Sequence, residues 1–164
     1  MPIVELSQLT AGLGRNDRLL GLDVGSKTVG LALSDVSRMV ASPMETIRRT
    51  KFTAATERLA ELIGDYDVAG LVVGLPINMD GTEGPRCQSV RQFAANLLLV
   101  IDMPVAFWDE RLSTAAVTRT LLEADVSRAR RSQVVDKMAA AYILQGALDF
   151  LSRNRDTPDQ TEPC

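Results

Sequence analysis

Residues 18–35 read RLLGLDVGSKTVGLALSD. Two apolar runs flank Gly25-Ser26-Lys27, the punctuation of a tight hairpin between buried strands. A single acid, Asp23, interrupts the first run, between Leu22 and Val24. Side chains alternate across a strand, so Asp23 shares its face with Leu19 and Gly21. With Ser26-Lys27 as a two-residue turn, Asp23 falls opposite Gly30 and Gly21 opposite Ala32. Those small residues would leave open space around the carboxylate. An acid inside an apolar strand is costly unless it is paired or bound to a metal.

Outward from this hairpin the pattern alternates. Residues 39–47 predict a short third strand, interrupted at Pro43 and therefore at a sheet edge. Residues 52–63 carry a helical apolar stripe: Phe52, Ala55, Leu59, Leu62 and Ile63. Residues 68–73 form a continuous apolar run, suited to a strand buried on both faces. Residues 77–84 are a loop, and Pro85 opens a helix to about residue 100, where its missing N–H costs little. Residues 105–108 predict another buried strand. Ser113 is placed to cap a helix through Glu123, residues 125–132 read as a basic loop, and residues 134–151 as the last helix. The order β-β-β-α-β-α-β-α-α predicts an α/β fold: a mixed five-stranded sheet with helices on both faces and the first strand near its centre. Ligands of such folds bind beyond the carboxyl ends of the parallel strands.

Composition narrows the chemistry. The chain has 164 residues, 46% of them hydrophobic, which suits one domain. Eighteen basic against 21 acidic residues give a net charge of −3, which leaves room for a local basic patch but not a basic coat. There is no histidine. That removes Ser-His-Asp and Cys-His catalysis, imidazole bases and His-ligated zinc together. Two cysteines, Cys87 and Cys164, make neither a zinc set nor a disulfide scaffold, so a reducing cytoplasm is expected. The first ten residues show no leader pattern. The most apolar stretch, 94–108, is broken by Asn96, Asp102 and Pro104 and is too short to span a bilayer. Aromatics are 4%, too few for extensive base stacking.

Three carboxylates stand where a site would form. Asp23 is in a central strand. Glu110 follows VAFW at a strand's carboxyl end, with Asp109 beside it pointing the other way. Asp136 falls in the first turn or so of the last helix, where the dipole favours an acid, and Ala139-Ala140-Ala141 after it lets that helix approach a sheet. A strand-end acid also serves as a cap or salt-bridge partner, and Asp136 could simply stabilise its helix start. If the three converge, an all-oxygen donor set without histidine favours Mg²⁺ or Mn²⁺. A pair of such ions acts on phosphodiesters.

Four stretches carry a resemblance over residues 18–151: GLDVGSKTVGLALSD (21–35), VVGLPINMDGTEG (72–84), DERLST (109–114) and VDKMAAAYILQ (135–145). They resemble the motifs of the YqgF family of RNase H-like nucleases, described as pre-16S rRNA nucleases and Holliday junction resolvase homologues. The resemblance implies an RNase H-like nuclease domain over residues 18–151, between an N-terminal extension (1–17) and a polar tail (152–164). It implies a metal-dependent hydrolase that processes the 5′ end of precursor 16S rRNA, with Asp23, Glu110 and Asp136 as catalytic and metal-binding acids. Many members carry Arg after the first-motif Lys; Thr28 stands there, which puts a basic contact at that position in doubt. Lys27 and Arg111, beside the acids, are candidate phosphate contacts, as are Asn78 and its glycine-containing loop and the basic cluster Arg128, Arg130 and Arg131. A helix-start Cys87 could be an activated thiol or an idle buried one.

Other readings use the same residues. A resolvase of branched DNA shares the acids and would act as a homodimer, whereas an RNA nuclease works as a monomer or a homodimer. DVGSKTVG (23–30) also resembles the phosphate motif of actin-like ATPases, but those need two such domains. A ribosome-assembly factor on the pre-30S particle would keep the fold and cut little. No reading involves a membrane.

Overall fold

The computed structural model describes residues 3–112 and 128–156, with side chains of the last helix described over 137–153. Strands β1 (Arg18–Val24), β2 (Thr28–Ser34), β3 (Ala41–Arg48), β4 (Val68–Leu75) and β5 (Val105–Asp109) form one sheet. Its order is β3-β2-β1-β4-β5, so β1 is central. β1 pairs antiparallel with β2 and parallel with β4, and β4 pairs parallel with β5. The hairpin takes the register that the two-residue turn predicts: Asp23 faces Gly30 and Gly21 faces Ala32. Pro43 lies on edge strand β3, where the register against β2 slips at Leu31/Ala32. Proline donates no ladder hydrogen bond, so an edge with an irregularity is where it fits.

Helices α2 (Phe52–Asp65) and α3 (Pro85–Leu98) cover one face. Their apolar stripes meet Leu20, Leu22, Leu31, Leu71 and Val73 in one core. The other face carries Leu19, Ala32, Val72 and Ala106 and packs against the long helix α4 (Arg128–Asp156). The even and odd residues of β1 thus feed two different cores. The segment before β1 joins the second core: the short helix α1 (Leu6–Leu9) buries Leu6 and Leu9, and Val4 N–H donates to the Val105 carbonyl at 2.9 Å.

The last helix differs from the sequence expectation. It begins at Arg128, so Arg128, Arg130 and Arg131 lie on helix and not in a basic loop, and it continues past Leu151 to Asp156. Arg, Ala and Gln favour helix, and neither Gly nor Pro occurs between residues 128 and 145. A polar first two turns carries no apolar stripe, which is why periodicity missed it. The helix expected over 113–123 lies outside the described residues.

Candidate active site

The carboxyl ends of β1, β4 and β5 point to one edge of the sheet, and the acids gather there. Asp23 is 4% exposed and Glu110 is 7% exposed. Glu110 opens a single 3₁₀ turn (Glu110–Leu112) directly after β5. A Cβ placed on Gly74 would stand 2.8 Å from Glu110 Oε1 and would collide with Ile143 Cδ1 of α4. Glu110 therefore folds back over β4 on the face that α4 covers. That is also the face of Asp23, because Gly21 on the same side of β1 lies against Leu144 and Ala140. One residue beyond the Leu22–Val73 pair, the parallel register brings Asp23 level with Gly74. The buried carboxylate is thus flanked by glycine on both sides, Gly30 on β2 and Gly74 on β4. Two buried carboxylates on one face beside glycine backbone suit an oxygen-ligated cation.

Gly74→Ala tests that arrangement. Ile143 can turn its terminal methyl aside, but Glu110 has to move. We expect kcat to fall about 100-fold, as small misplacements of reacting groups do, with a stability loss of about 1–3 kcal/mol from overpacking. Thermal melts run beside single-turnover cleavage separate the two effects.

Asp136 lies on α4 one turn before Ala140. Ala139 and Ala140 are buried, and the helix sits close enough for Ala140's carbonyl to be 3.1 Å from a Cβ on Gly21. The side chain of Asp136 lies outside the described residues. Because α4 begins at Arg128, Asp136 is more than two turns inside the helix and not in its first turn. The dipole argument for an acid there does not hold, since that effect fades beyond the first turn. Among the described residues no three His, Cys, Asp or Glu side chains gather at one point. The third acid of the trio is the one whose side chain is not described.

The other expected contacts are distributed as follows. Lys27 is exposed at the β1–β2 turn. Arg111 is clamped by Asp109: Nε donates to both carboxylate oxygens at 3.1 and 3.0 Å, and Nη2 donates to Oδ2 at 2.7 Å. The Arg111 guanidinium holds Asp109 below the usual carboxylate range, and Asp109 raises the guanidinium. Asp109 Oδ1 also accepts the Arg111 N–H at 3.0 Å, which fixes the turn that presents Glu110. Asn78 works inside its own loop. Its N–H donates to the Thr82 carbonyl at 2.9 Å and its amide to Thr82 Oγ1 at 3.1 Å. Gly81 turns the loop at φ +91, where a side chain would be strained. Arg128, Arg130 and Arg131 have side chains outside the described residues. Cys87 is fully buried in the core, and burial with nearby Glu83 pushes its thiol up. The activated-thiol reading is therefore overturned: desolvation outweighs the helix start.

One group escaped the sequence reading. Arg48, the last residue of β3, opens RRTK (48–51) with Arg49 and Lys51, a run as dense as 128–131. Arg49 N–H donates to the Lys27 carbonyl at 2.8 Å, which joins this run to the β1–β2 turn. The signal was the charge density; its neighbours are set by tertiary register.

Comparison with known proteins adds a family. A family model described as "RuvX: Holliday junction resolvase" matches residues 17–150. A relative from Paramagnetospirillum magneticum named "Putative pre-16S rRNA nuclease" is 68% identical over 149 residues, covering 91% of this chain and 96% of its own. One of the same name from Beijerinckia indica is 55% identical, covering 99% and 97%. Among solved structures, "T. thermophilus RuvC in complex with Holliday junction substrate" superposes with a TM-score of 0.51 at 14% identity, over 80% of this chain and 93% of that one. That likeness speaks for the fold, an RNase H-like one.

Proposed function

The chain belongs to the RuvX family, and from that premise we propose that it is a metal-dependent nuclease that matures the 5′ end of precursor 16S rRNA. The observation that carries this reading is the pair of buried carboxylates, Asp23 and Glu110, on one face at the carboxyl edge of the sheet. It is a hydrolase of phosphodiester bonds. Its relatives' names supply the RNA substrate, and the acid geometry supplies the chemistry.

Asp23, Glu110 and Asp136 would hold divalent cations, Mg²⁺ or Mn²⁺, as all-oxygen ligands suit. When bound, such a pair would activate water for attack and offset charge on the leaving oxygen. The chain's own residues do the rest. Gly74, having no Cβ, lets the Glu110 carboxylate fold over β4 on the side of Asp23. The 3₁₀ turn, fixed by Asp109 and Arg111, holds Glu110 there. Lys27 sits exposed in the β1–β2 turn, placed to meet a backbone phosphate. With no imidazole in the chain, proton movement falls to water and carboxylates.

Cleavage of branched DNA is the second reading, favoured by the family description and by the RuvC-like fold. The two separate by substrate. A 5′-extended 16S rRNA precursor and a four-way DNA junction, each with Mg²⁺, Mn²⁺ or EDTA, are offered to the same preparation. We expect metal-dependent cutting of the RNA at a rate at least tenfold above the junction. Cutting of the junction alone moves the activity to recombination, and cutting of neither overturns the nuclease reading on free nucleic acid. Among the described residues no helix is long and apolar enough to cross a membrane, and we place the activity in the cytoplasm, on RNA of the pre-30S particle.

A further inference from the structure

The register that sets Asp23 opposite Gly30 continues to the sheet edge. Cross-strand partners share a face, and so do residues two apart along a strand. Gly30 pairs with Thr46, and Thr28 pairs with Arg48. Arg48 therefore stands on the face of Asp23, two strands away, on the order of 10 Å at normal strand spacing. Arg48 is exposed, as are Lys27 and Lys51. Arg49 ties them together: its N–H bonds the Lys27 carbonyl, its guanidinium bonds the Gly25 carbonyl and lies over the Phe93 ring at 5.0 Å. Lys51 is the residue that precedes α2, whose N-terminus adds positive potential. Arg58, Arg91 and Arg111 are held in ion pairs with Glu45, Glu61, Glu83 and Asp109. In a chain of net charge −3, this rim is a local excess of the sign that a polyanion reads.

We propose that Lys27, Arg48 and Lys51 form a phosphate track that leads one nucleic-acid strand from the catalytic acids across the β2–β3 end of the sheet. The proposal rests on the nuclease reading and adds where the strand runs. Its ligand is the phosphodiester backbone, common to RNA and DNA, so the contacts position without reading sequence. Arg49 is a positioning residue that fixes the turn carrying the others.

The test is the salt dependence of binding by the Arg48→Gln/Lys51→Gln variant. The probes are a labelled single-stranded RNA and a labelled four-way DNA junction, with EDTA present so that binding is read without cutting. The reference is Arg15→Gln/Arg153→Gln, which removes the same charge from the far end of the sheet. Each phosphate contact contributes roughly 0.7 to the log–log salt slope on a single strand and roughly 0.9 on a duplex. The track predicts a slope smaller by about 1.4–1.8 for the first variant, with none lost by the reference. It predicts that Arg48→Lys/Lys51→Arg restores the slope. Loss on one probe only identifies which backbone uses the track. An unchanged slope, or an equal change in both variants, overturns the track while leaving the nuclease in place. Failure of the unmodified protein to bind either probe overturns both.

Discussion

Asp23→Asn is expected to lower kcat by on the order of 10³-fold or more, about 4 kcal/mol of transition-state stabilisation, with the fold retained. Asparagine keeps the size of the side chain but loses the charge that a divalent cation needs. The position is 4% exposed, between Leu22 and Val24, with glycine on either side, so the isosteric change creates neither cavity nor clash. Glu110→Gln is expected to match it in size of effect, because both acids share one face. Groups acting as a unit are non-additive, so the double variant should be little worse than either single one. Quench-flow cleavage with circular dichroism on the same samples checks this. A variant that keeps more than a tenth of the activity in a clean preparation removes that acid from the mechanism.

Gly21→Ala is expected to damage the fold and the activity together. Its Cβ would sit 2.7 Å from Leu144 Cβ and 3.1 Å from the Ala140 carbonyl. Neither neighbour is the free end of a side chain, so α4 itself has to back away. Overpacking of this kind costs about 1–3 kcal/mol, a fall in Tm of roughly 2–12 °C for a domain of this size. Because Asp136 lies one turn from Ala140, the retreat also displaces the backbone that carries Asp136, the acid proposed to join Asp23. Gly64→Ala is the internal contrast. It lies in α2 with nothing within 4 Å of its Cβ, and alanine there is expected to stabilise by about 0.5–1 kcal/mol. Paired melts of the two variants should move in opposite directions.

The hairpin was fully legible from residues 18–35. A two-residue turn and a period of two leave one register, and that register determines which residues flank Asp23. The central place of β1, the edge place of β3 and the helix opened by Pro85 were legible too, from Pro43, Pro85 and the apolar run 68–73. The start of α4 was not. Its first two turns are charged, and helix propensity without an apolar stripe leaves no periodic signal. The consequence reached the site, because an acid expected at a helix start lies well inside the helix. RRTK (48–51) was visible as charge, but its closeness to Lys27 arises from β2–β3 pairing and an Arg49 hydrogen bond. Both are tertiary facts. At Cys87 the helix start was read correctly and left an activated and an idle thiol open; burial, which sequence does not give, decides for the idle one.

The central claim is that Asp23, Glu110 and Asp136 form one divalent-cation site. Manganese binding measures it directly, through loss of the free Mn²⁺ signal in electron paramagnetic resonance titrations of the unmodified chain, Asp23→Asn and Asp136→Asn. Saturable binding by the unmodified chain, weakened at least tenfold by either substitution, is the predicted result. Binding that survives Asp136→Asn unchanged, or a chain that takes up no Mn²⁺, would contradict it.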